Sequence, residues 1–468
     1  YIASGAQAEA AGDLQVSYHA GLVSAREEKA LGVNVNFDPC VDILYNWRNT
    51  IVNTRAYGTD AETVIKYTNA YLDGLTAENG ENMEDGVIQC IKHFPGDGTE
   101  ERDQHLVLGV NELSPEEWRA SFGKVYQNHI DRGVEMIMAG HIAVPALQKE
   151  LNPALEDKDI MPATLAEELI QDALKTELGF NGLVITDATH MLGMTSAMRR
   201  EDYVPKSIAA GCDMFLFFNN IAEDFGFMLK GYQNGVITEE RLTDALRRIL
   251  GLKAKLHLPE KQANGTLLRT REDLNVIGCE EHLQWRAEAA DKGISLIKDT
   301  QNNLPINPVD HKRIRLYMLE GEKGGITDNG SKAQQLFVDE LTKRGYEVTV
   351  NERGSRVKGA TLKYRDEVDF ALEVADIAGY GAQNNYRIQW STAMANEVPW
   401  FVWEVPHAFV SLNFTTHLHD ATMVKTFVNA YHNNEETIKQ VIDKLEGKSE
   451  FKGGHNDLVW TDKWQAKL

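Results

Sequence analysis

Apolar residues along this chain follow two rhythms. Short runs of β-branched and aliphatic side chains alternate with longer stretches whose apolar positions recur every three to four residues. That alternation predicts strand-then-helix units. Residues 3 to 31 read as helical, with Ala, Glu and Leu dominating. Leu31 to Phe37 alternates as a strand does and ends in Asp38-Pro39. Asp60 to Leu75 predicts a helix with a cap at Thr59 or Asp60. Val87-Ile88-Gln89-Cys90-Ile91 predicts a buried strand, followed by a helix over 115–132 and a strand over 134–142. A helix over 165–178, the strand Leu183-Val184-Ile185-Thr186, a helix over 204–210, a strand over 213–218 and a helix over 239–256 complete the series. Five strand-then-helix units in strict succession imply a parallel sheet.

Polar residues stand at the C-terminal ends of these strands: Asp38, Lys92 with His93, His141, Asp187, and Asn219 with Asn220. In a β/α barrel that face carries the chemistry. A closed barrel needs eight strands, whereas the pattern yields five. The expected fold is therefore α/β, a TIM-type barrel lacking its first three strands in this chain, followed by an α/β sandwich. The expected boundaries are a barrel over 1–258, a linker over 259–285 and a second domain over 286–468. In that second domain a helix over 281–292 leads into Gly293 to Lys298, and strands are predicted over 314–319, 346–350, 370–374 and 408–412. Gly321-Glu322-Lys323-Gly324-Gly325 lacks the spacing of a phosphate loop and reads as a turn. His417-Leu418-His419 is too short a pattern for a metal site.

The 468 residues, 43% hydrophobic and 25% charged, have an ordinary globular composition with room for two domains. A formal charge of −22 argues against nucleic acid and anionic membrane surfaces as partners. Cys40, Cys90, Cys212 and Cys279 are far apart, which suggests buried thiols rather than a disulfide framework or a metal cluster. No cofactor and no metal are expected. No apolar run is long enough to span a bilayer. The N-terminus has neither a basic lead nor an apolar core, so it does not read as a signal peptide. It also lacks Met, and together with the strand count this leads us to expect about 80–100 further residues upstream, the length of three β/α units. The compartment is open, with the cytoplasm favoured.

Cys90 to His105, CIKHFPGDGTEERDQH, is the stretch richest in candidate chemistry. Lys92 and His93 close a buried strand, and Phe94 to Gly98 is turn chemistry. Asp103 stands two residues before His105, where a carboxylate can fix the tautomer of the imidazole and raise its basicity. The alternative is a solvated loop with a chance Asp-x-His.

Lys92-His93-Phe94-Pro95-Gly96, Asp103-x-His105 and Gly179-Phe180-x-Gly182-Leu183-Val184-Ile185-Thr186-Asp187 occur in this order. The combination resembles the family 3 glycoside hydrolases, specifically their β-N-acetylglucosaminidase branch. Phe37 to Asp42, Asn53 to Gly58, Ala210 to Met214, and Lys292 to Lys298 with Asn303-Leu304-Pro305 extend the resemblance along nearly the whole chain. The resemblance implies that Asp187 is the nucleophile and that Asp103 and His105 are the acid/base dyad. It also implies substrate contacts from Lys92, His93, Arg55, His141 and Met191. The chemistry is coherent on its own terms. A retaining glycosidase needs a carboxylate to trap the anomeric carbon and a proton donor for the leaving oxygen. A His backed by an Asp can replace the usual second carboxylate, because its ordinary pKa of about 6.5 needs little tuning. Lys92 near Asp187 would keep the nucleophile ionised. One departure from the branch is Asp97, where a second His is common; a carboxylate there could raise the imidazole's pKa.

The leading expectation is a retaining exo-β-N-acetylglucosaminidase acting on cell-wall or chitin-derived oligosaccharides. A phosphorylase passing the glycosyl group to inorganic phosphate is the main alternative, since a neutral His base does not repel phosphate as a carboxylate would. A β-glucosidase, with its acid among Glu320, Glu322 or Glu404, and a non-catalytic sugar-binding protein complete the set. The dyad loop, with Gly96, Gly98 and several charges, has little to bury and is expected to open cheaply, carrying His105 away from Asp187.

Overall fold

The computed structural model describes residues 2–80, 82–83, 86–321, 331–378 and 386–468. The chain divides into two compact units. Residues 17–282 form one, and residues 3–16 together with 283–468 form the other.

The first unit is built on five parallel strands in sequential order: β1 (Val35–Asn36), β2 (Ile88–Phe94), β3 (Met136–Ala139), β4 (Leu183–Ala188) and β5 (Met214–Leu216). These are the five strands that the apolar runs predict. They curl into a half-barrel, with β1 and β5 as its outer strands. Ile88, Cys90, Met136, Met138, Leu183 and Ile185 line one face, where Ile249, Leu252 and Leu256 pack against them. Beside β5 the chain leaves Phe217, Phe218, Ile221 and Phe225 exposed.

The helical stretch expected over residues 3–31 is two helices, Gly5–Ala11 and Leu14–Ala30, separated where Gly12 turns left-handed. The helix Ala61–Thr76 begins at Asp60, whose side chain accepts from Thr63 N at 3.0 Å. This helix crosses Leu14–Ala30 at unusually close range. A Cβ on Gly21 would lie 1.9 Å from Tyr71 O, and one on Gly74 would lie 1.9 Å from Tyr18 O. Ser17 Oγ donates to Tyr67 O at 2.7 Å across the same crossing. The longest of several helices outside every predicted element in this unit is Ile221–Gln233; Pro145–Leu151 and Leu258–Ala263 are others.

The second unit carries six strands: β6 (Ser295–Asp299), β7 (Arg313–Glu320), β8 (Glu347–Val350), β9 (Phe370–Asp376), β10 (His407–Ser411) and β11 (Thr426–Asn429). Their order is β8-β7-β9-β10-β11-β6, all parallel except β6, which runs antiparallel to β11. The helices Ala333–Lys343 and Glu435–Leu445 cover one face through Phe337, Leu341, Ile438 and Ile442. Sequence patterning anticipates four of these strands, β7 to β10; β6 falls on the Gly293 to Lys298 run, which is not predicted as a strand, and β11 falls outside every predicted element. The Gly321 to Gly325 turn falls almost wholly outside the described residues. His417 is fully buried; its Nδ1 meets Ser411 Oγ at 2.7 Å and its Nε2 meets Tyr386 O at 2.9 Å.

The Gly21/Gly74 crossing supplies a direct test of packing. Gly74→Ala should destabilise the protein by about 1–3 kcal/mol, since the added methyl meets backbone that cannot turn aside. An unchanged urea midpoint would show that the two helices can separate without cost.

Candidate active site

The C-terminal ends of β2 and β4 carry the site. Beyond β1 the chain runs alongside β2, with Val41 N donating to Lys92 O at 2.7 Å. That brings Asp42 under the end of β2, fully buried. Asp42 Oδ1 accepts from His93 N at 3.2 Å and Asp97 N at 2.8 Å. Its Oδ2 accepts from His93 Nδ1 at 2.8 Å and Cys40 Sγ at 3.0 Å. Burial alone would raise the Asp42 carboxyl, but the His93 imidazole and these donors hold it down at about 2. The opposite nitrogen of the same ring, His93 Nε2, lies 3.9 Å from Asp187 Oδ2.

Asp187 is the fifth residue of β4, with its side chain 13% exposed. Burial works to raise its carboxyl, yet His93 and His141, with the Ala188 N–H at 2.7 Å, outweigh that and hold it below the ordinary value. An ionised carboxylate at the strand end follows. Lys92 is not the main source of that effect, since its Nζ pairs with Asp38 Oδ1 at 3.6 Å. Arg55 lies within charge range of Asp38, Asp42 and Asp187.

The Asp103–His105 pair is held against the end of β4. Asp103 is fully buried and its Oδ1 accepts from His105 Nδ1 at 2.7 Å and from His105 N at 2.9 Å. The His105 side chain keeps 36% exposure. Burial pulls the His105 pKa down, but the bond to Asp103 and the charges of Asp103 and Asp187 prevail and raise it. With Nδ1 engaged, Nε2 is the ring atom left to exchange a proton.

The loop is held more firmly than its composition suggests. Leu192 N donates to His105 O at 3.0 Å and Gly193 N donates to Gln104 O at 3.1 Å. A Cβ on Gly193 would come within 2.8 Å of both Gln104 O and Val107 O, so this approach depends on glycine. Gln104 Oε1 accepts from His141 N at 2.7 Å.

His141 is fully buried, with Nε2 against Ala188 O at 2.9 Å and Nδ1 against Thr164 Oγ1 at 2.9 Å. Both ring nitrogens therefore meet protein groups. Met191 is buried at the start of a short helix, its N–H donating to Ala188 O at 3.0 Å. Of the second-domain carboxylates, Glu404 pairs with Arg365, Glu320 ends β7, and Glu322 lies outside the described residues.

Three further residues shape the site: Asp42, Asn49 and Asp97. Asn49 Nδ2 donates to Asp97 Oδ1 at 3.0 Å and to Glu100 O at 2.9 Å, while its Oδ1 accepts from Val52 N at 2.7 Å. It thus ties the segment leading to Arg55 to the dyad loop. Burial, with Asp42 and Asp103 nearby, pushes the Asp97 carboxyl up. Asp42 and Asp97 stand inside recognisable strings, but no local pattern tells that one faces the other.

Residues 3–252 match the model for the glycosyl hydrolase family 3 N-terminal domain. A Cellulomonas fimi protein described as a β-N-acetylglucosaminidase/β-glucosidase is 39% identical over 473 residues, covering all of this chain and 82% of that protein. The chain belongs to glycoside hydrolase family 3. It is an enzyme of the glycoside hydrolase class. Among solved structures, a β-glucoside phosphorylase, BglX, superposes with a TM-score of 0.93 at 38% identity, over 100% of this chain and 82% of that one. A β-N-acetylglucosaminidase from Paenibacillus sp. str. FPU-7 shares the fold, with a TM-score of 0.76 at 21% identity over 96% of this chain and 80% of that one. The half-barrel and sandwich are thus the two domains of a family 3 enzyme.

The raised His105 pKa gives a signed expectation. If protonated His105 is needed for the first step, kcat/KM falls as pH rises through that pKa. Asp103→Asn removes the charge that raises it, so the alkaline limb should move to lower pH. A limb that stays in place would assign it to another group.

Proposed function

We propose that this family 3 enzyme is a retaining exo-β-N-acetylglucosaminidase that releases terminal β-linked GlcNAc from oligosaccharides. The observation that carries the reading is the division of charge between two groups. Asp187 is held ionised below the ordinary carboxylate range, while His105, backed by the buried Asp103, holds its proton to higher pH than an ordinary imidazole.

In the first step a carboxylate oxygen of Asp187 attacks the anomeric carbon. The bond to the leaving oxygen breaks, and His105 Nε2–H supplies the proton that oxygen needs. In the second step neutral His105 takes a proton from water, and the hydroxide displaces Asp187 with a second inversion. Arg55, Lys92 and His93 provide polar groups for the sugar's hydroxyls. His141 and Met191 belong to the wall that fixes Ala188 beside the nucleophile. The name of the Cellulomonas relative supports GlcNAc and leaves glucose as an accepted sugar.

Phosphorolysis is the second reading, favoured by the phosphorylase among the solved structures. Neutral His105 also adds no negative charge to repel an incoming phosphate. Incubating a β-linked GlcNAc substrate with and without phosphate separates the two. Hydrolysis predicts free GlcNAc at a rate indifferent to phosphate; GlcNAc 1-phosphate as the main product would overturn it.

Leaving-group dependence tests the acid. His105→Ala should slow substrates with poor leaving groups by about 10²–10⁴-fold, the usual worth of a positioned proton donor. Activated aryl glycosides, which need little protonation, should still form the glycosyl-enzyme. Equal losses for both classes would make His105 a binding or structural residue.

A further inference from the structure

Cys40, Asp42 and His93 form the one group of three metal-ligating side chains among the described residues. Their Sγ, carboxylate oxygen and ring nitrogen all lie within 4.8 Å of one another, and all three residues are buried. The first-step chemistry has no use for the thiol. Its Sγ–H and the His93 Nδ1–H converge on a single oxygen, Asp42 Oδ2, at 3.0 and 2.8 Å.

We infer that this cluster is a binding site for a thiophilic divalent cation such as Zn²⁺ or Cd²⁺, and that filling it inhibits the enzyme from behind the nucleophile. One cation would take the place of the two hydrogens that now meet Asp42 Oδ2: the thiol proton leaves to solvent, and the imidazole keeps a single proton, on Nε2. The charges then balance: two positive charges against one thiolate and one carboxylate, with a neutral imidazole as third ligand. A buried complex without net charge avoids the main cost of placing a cation in the interior. The geometry needs little change. Tetrahedral bonds of about 2.3 Å to sulfur and about 2.0–2.1 Å to nitrogen or oxygen set donors about 3.3–3.6 Å apart. The two pairs that share Asp42 Oδ2 therefore open by roughly half an ångström, and the sulfur–nitrogen pair, now within 4.8 Å, settles to about 3.6 Å. Asp42 Oδ1 keeps its bonds from His93 N and Asp97 N throughout. Three protein ligands leave a fourth position for water.

The charged groups around the cluster decide the direction of the effect. Arg55 stands within charge range of Cys40, Asp42, Asp38 and Asp187 and opposes the cation, whereas Asp38, Asp97 and Asp187 favour it. Lys92 is paired with Asp38. Inhibition follows because metallated Nδ1 shifts the ring and fixes its remaining proton on Nε2, 3.9 Å from Asp187 Oδ2. The cation also draws charge away from the attacking carboxylate. The inhibition depends on Asp187 being the nucleophile, but binding does not.

The test is titration of the whole protein with Cd²⁺, followed by a chelator. The expected result is reversible loss of glycosidase activity together with a thiolate-to-Cd²⁺ charge-transfer absorption of matching concentration dependence. Cys40→Ser keeps a hydroxyl to donate to Asp42, and its inhibition is read against its own metal-free rate. It should lose the absorption band and need at least about tenfold more Cd²⁺ for inhibition, since the loss of even an outer-shell partner of a ligand costs about 10–100-fold. Equal sensitivity in Cys40→Ser would overturn the assignment. X-ray absorption of the Zn²⁺-loaded wild-type protein needs no variant: one sulfur at about 2.3 Å is expected, and a shell of nitrogen and oxygen alone would overturn the site. A sulfur-bound ion that leaves activity intact would refute the inhibition while sparing the nucleophile assignment.

Discussion

The arrangement of this active site depends on one buried carboxylate. Asp42 has no access to solvent, and an uncompensated charge there would cost several kcal/mol. It is satisfied by four donors from two stretches of chain: the thiol of Cys40 on its own stretch, and the backbone and ring of His93 with the backbone of Asp97 at the end of β2 and the turn after it. The His93 ring is therefore aimed along a fixed line, with Asp187 on its far side. The turn after β2 is fixed at the same time, and through Asn49 so is the segment that carries Arg55.

The same constraint divides the ionisation of the site. Asp42 is held well below its ordinary pKa, so its bonds are present above the normal carboxylate range and are lost only as pH falls towards about 2. Asp97, buried beside it without matching cations, is pushed the other way. A further pair repeats the contrast at the reacting end. Asp187 is kept ionised by imidazoles and an N–H, while His105 is kept protonated to higher pH by Asp103. In the proposed mechanism these two groups with opposed shifts, Asp187 in β4 and His105 on the loop after β2, are the nucleophile and the acid, with no second carboxylate.

Much of this was legible in the sequence because it is local. The five half-barrel strands are apolar runs closed by polar residues, and Asp103 lies only two residues from His105. The missed helix Ile221–Gln233 follows a strand end rich in Phe, whose apolar run masks the helical period. β11 is four residues long and fully buried, so it has no alternation to read. The firm seating of the dyad loop comes from backbone bonds to Leu192 and Gly193, which leave no trace in composition. The source of the Asp187 charge is likewise non-local. Lys92 is nearest in the motif, but its partner is Asp38, and the imidazoles of His93 and His141 take the part expected of it.

The account stands or falls on the atom that bonds to the sugar. A 2-deoxy-2-fluoroglycoside with an activated leaving group slows both steps but departs readily, so a covalent intermediate accumulates. The protein should gain the mass of one fluoroglycosyl group, carried by the peptide that contains Asp187. A stable adduct on any other residue, or continued turnover of that reagent with no adduct on Asp187→Asn or wild-type protein, would contradict the assignment.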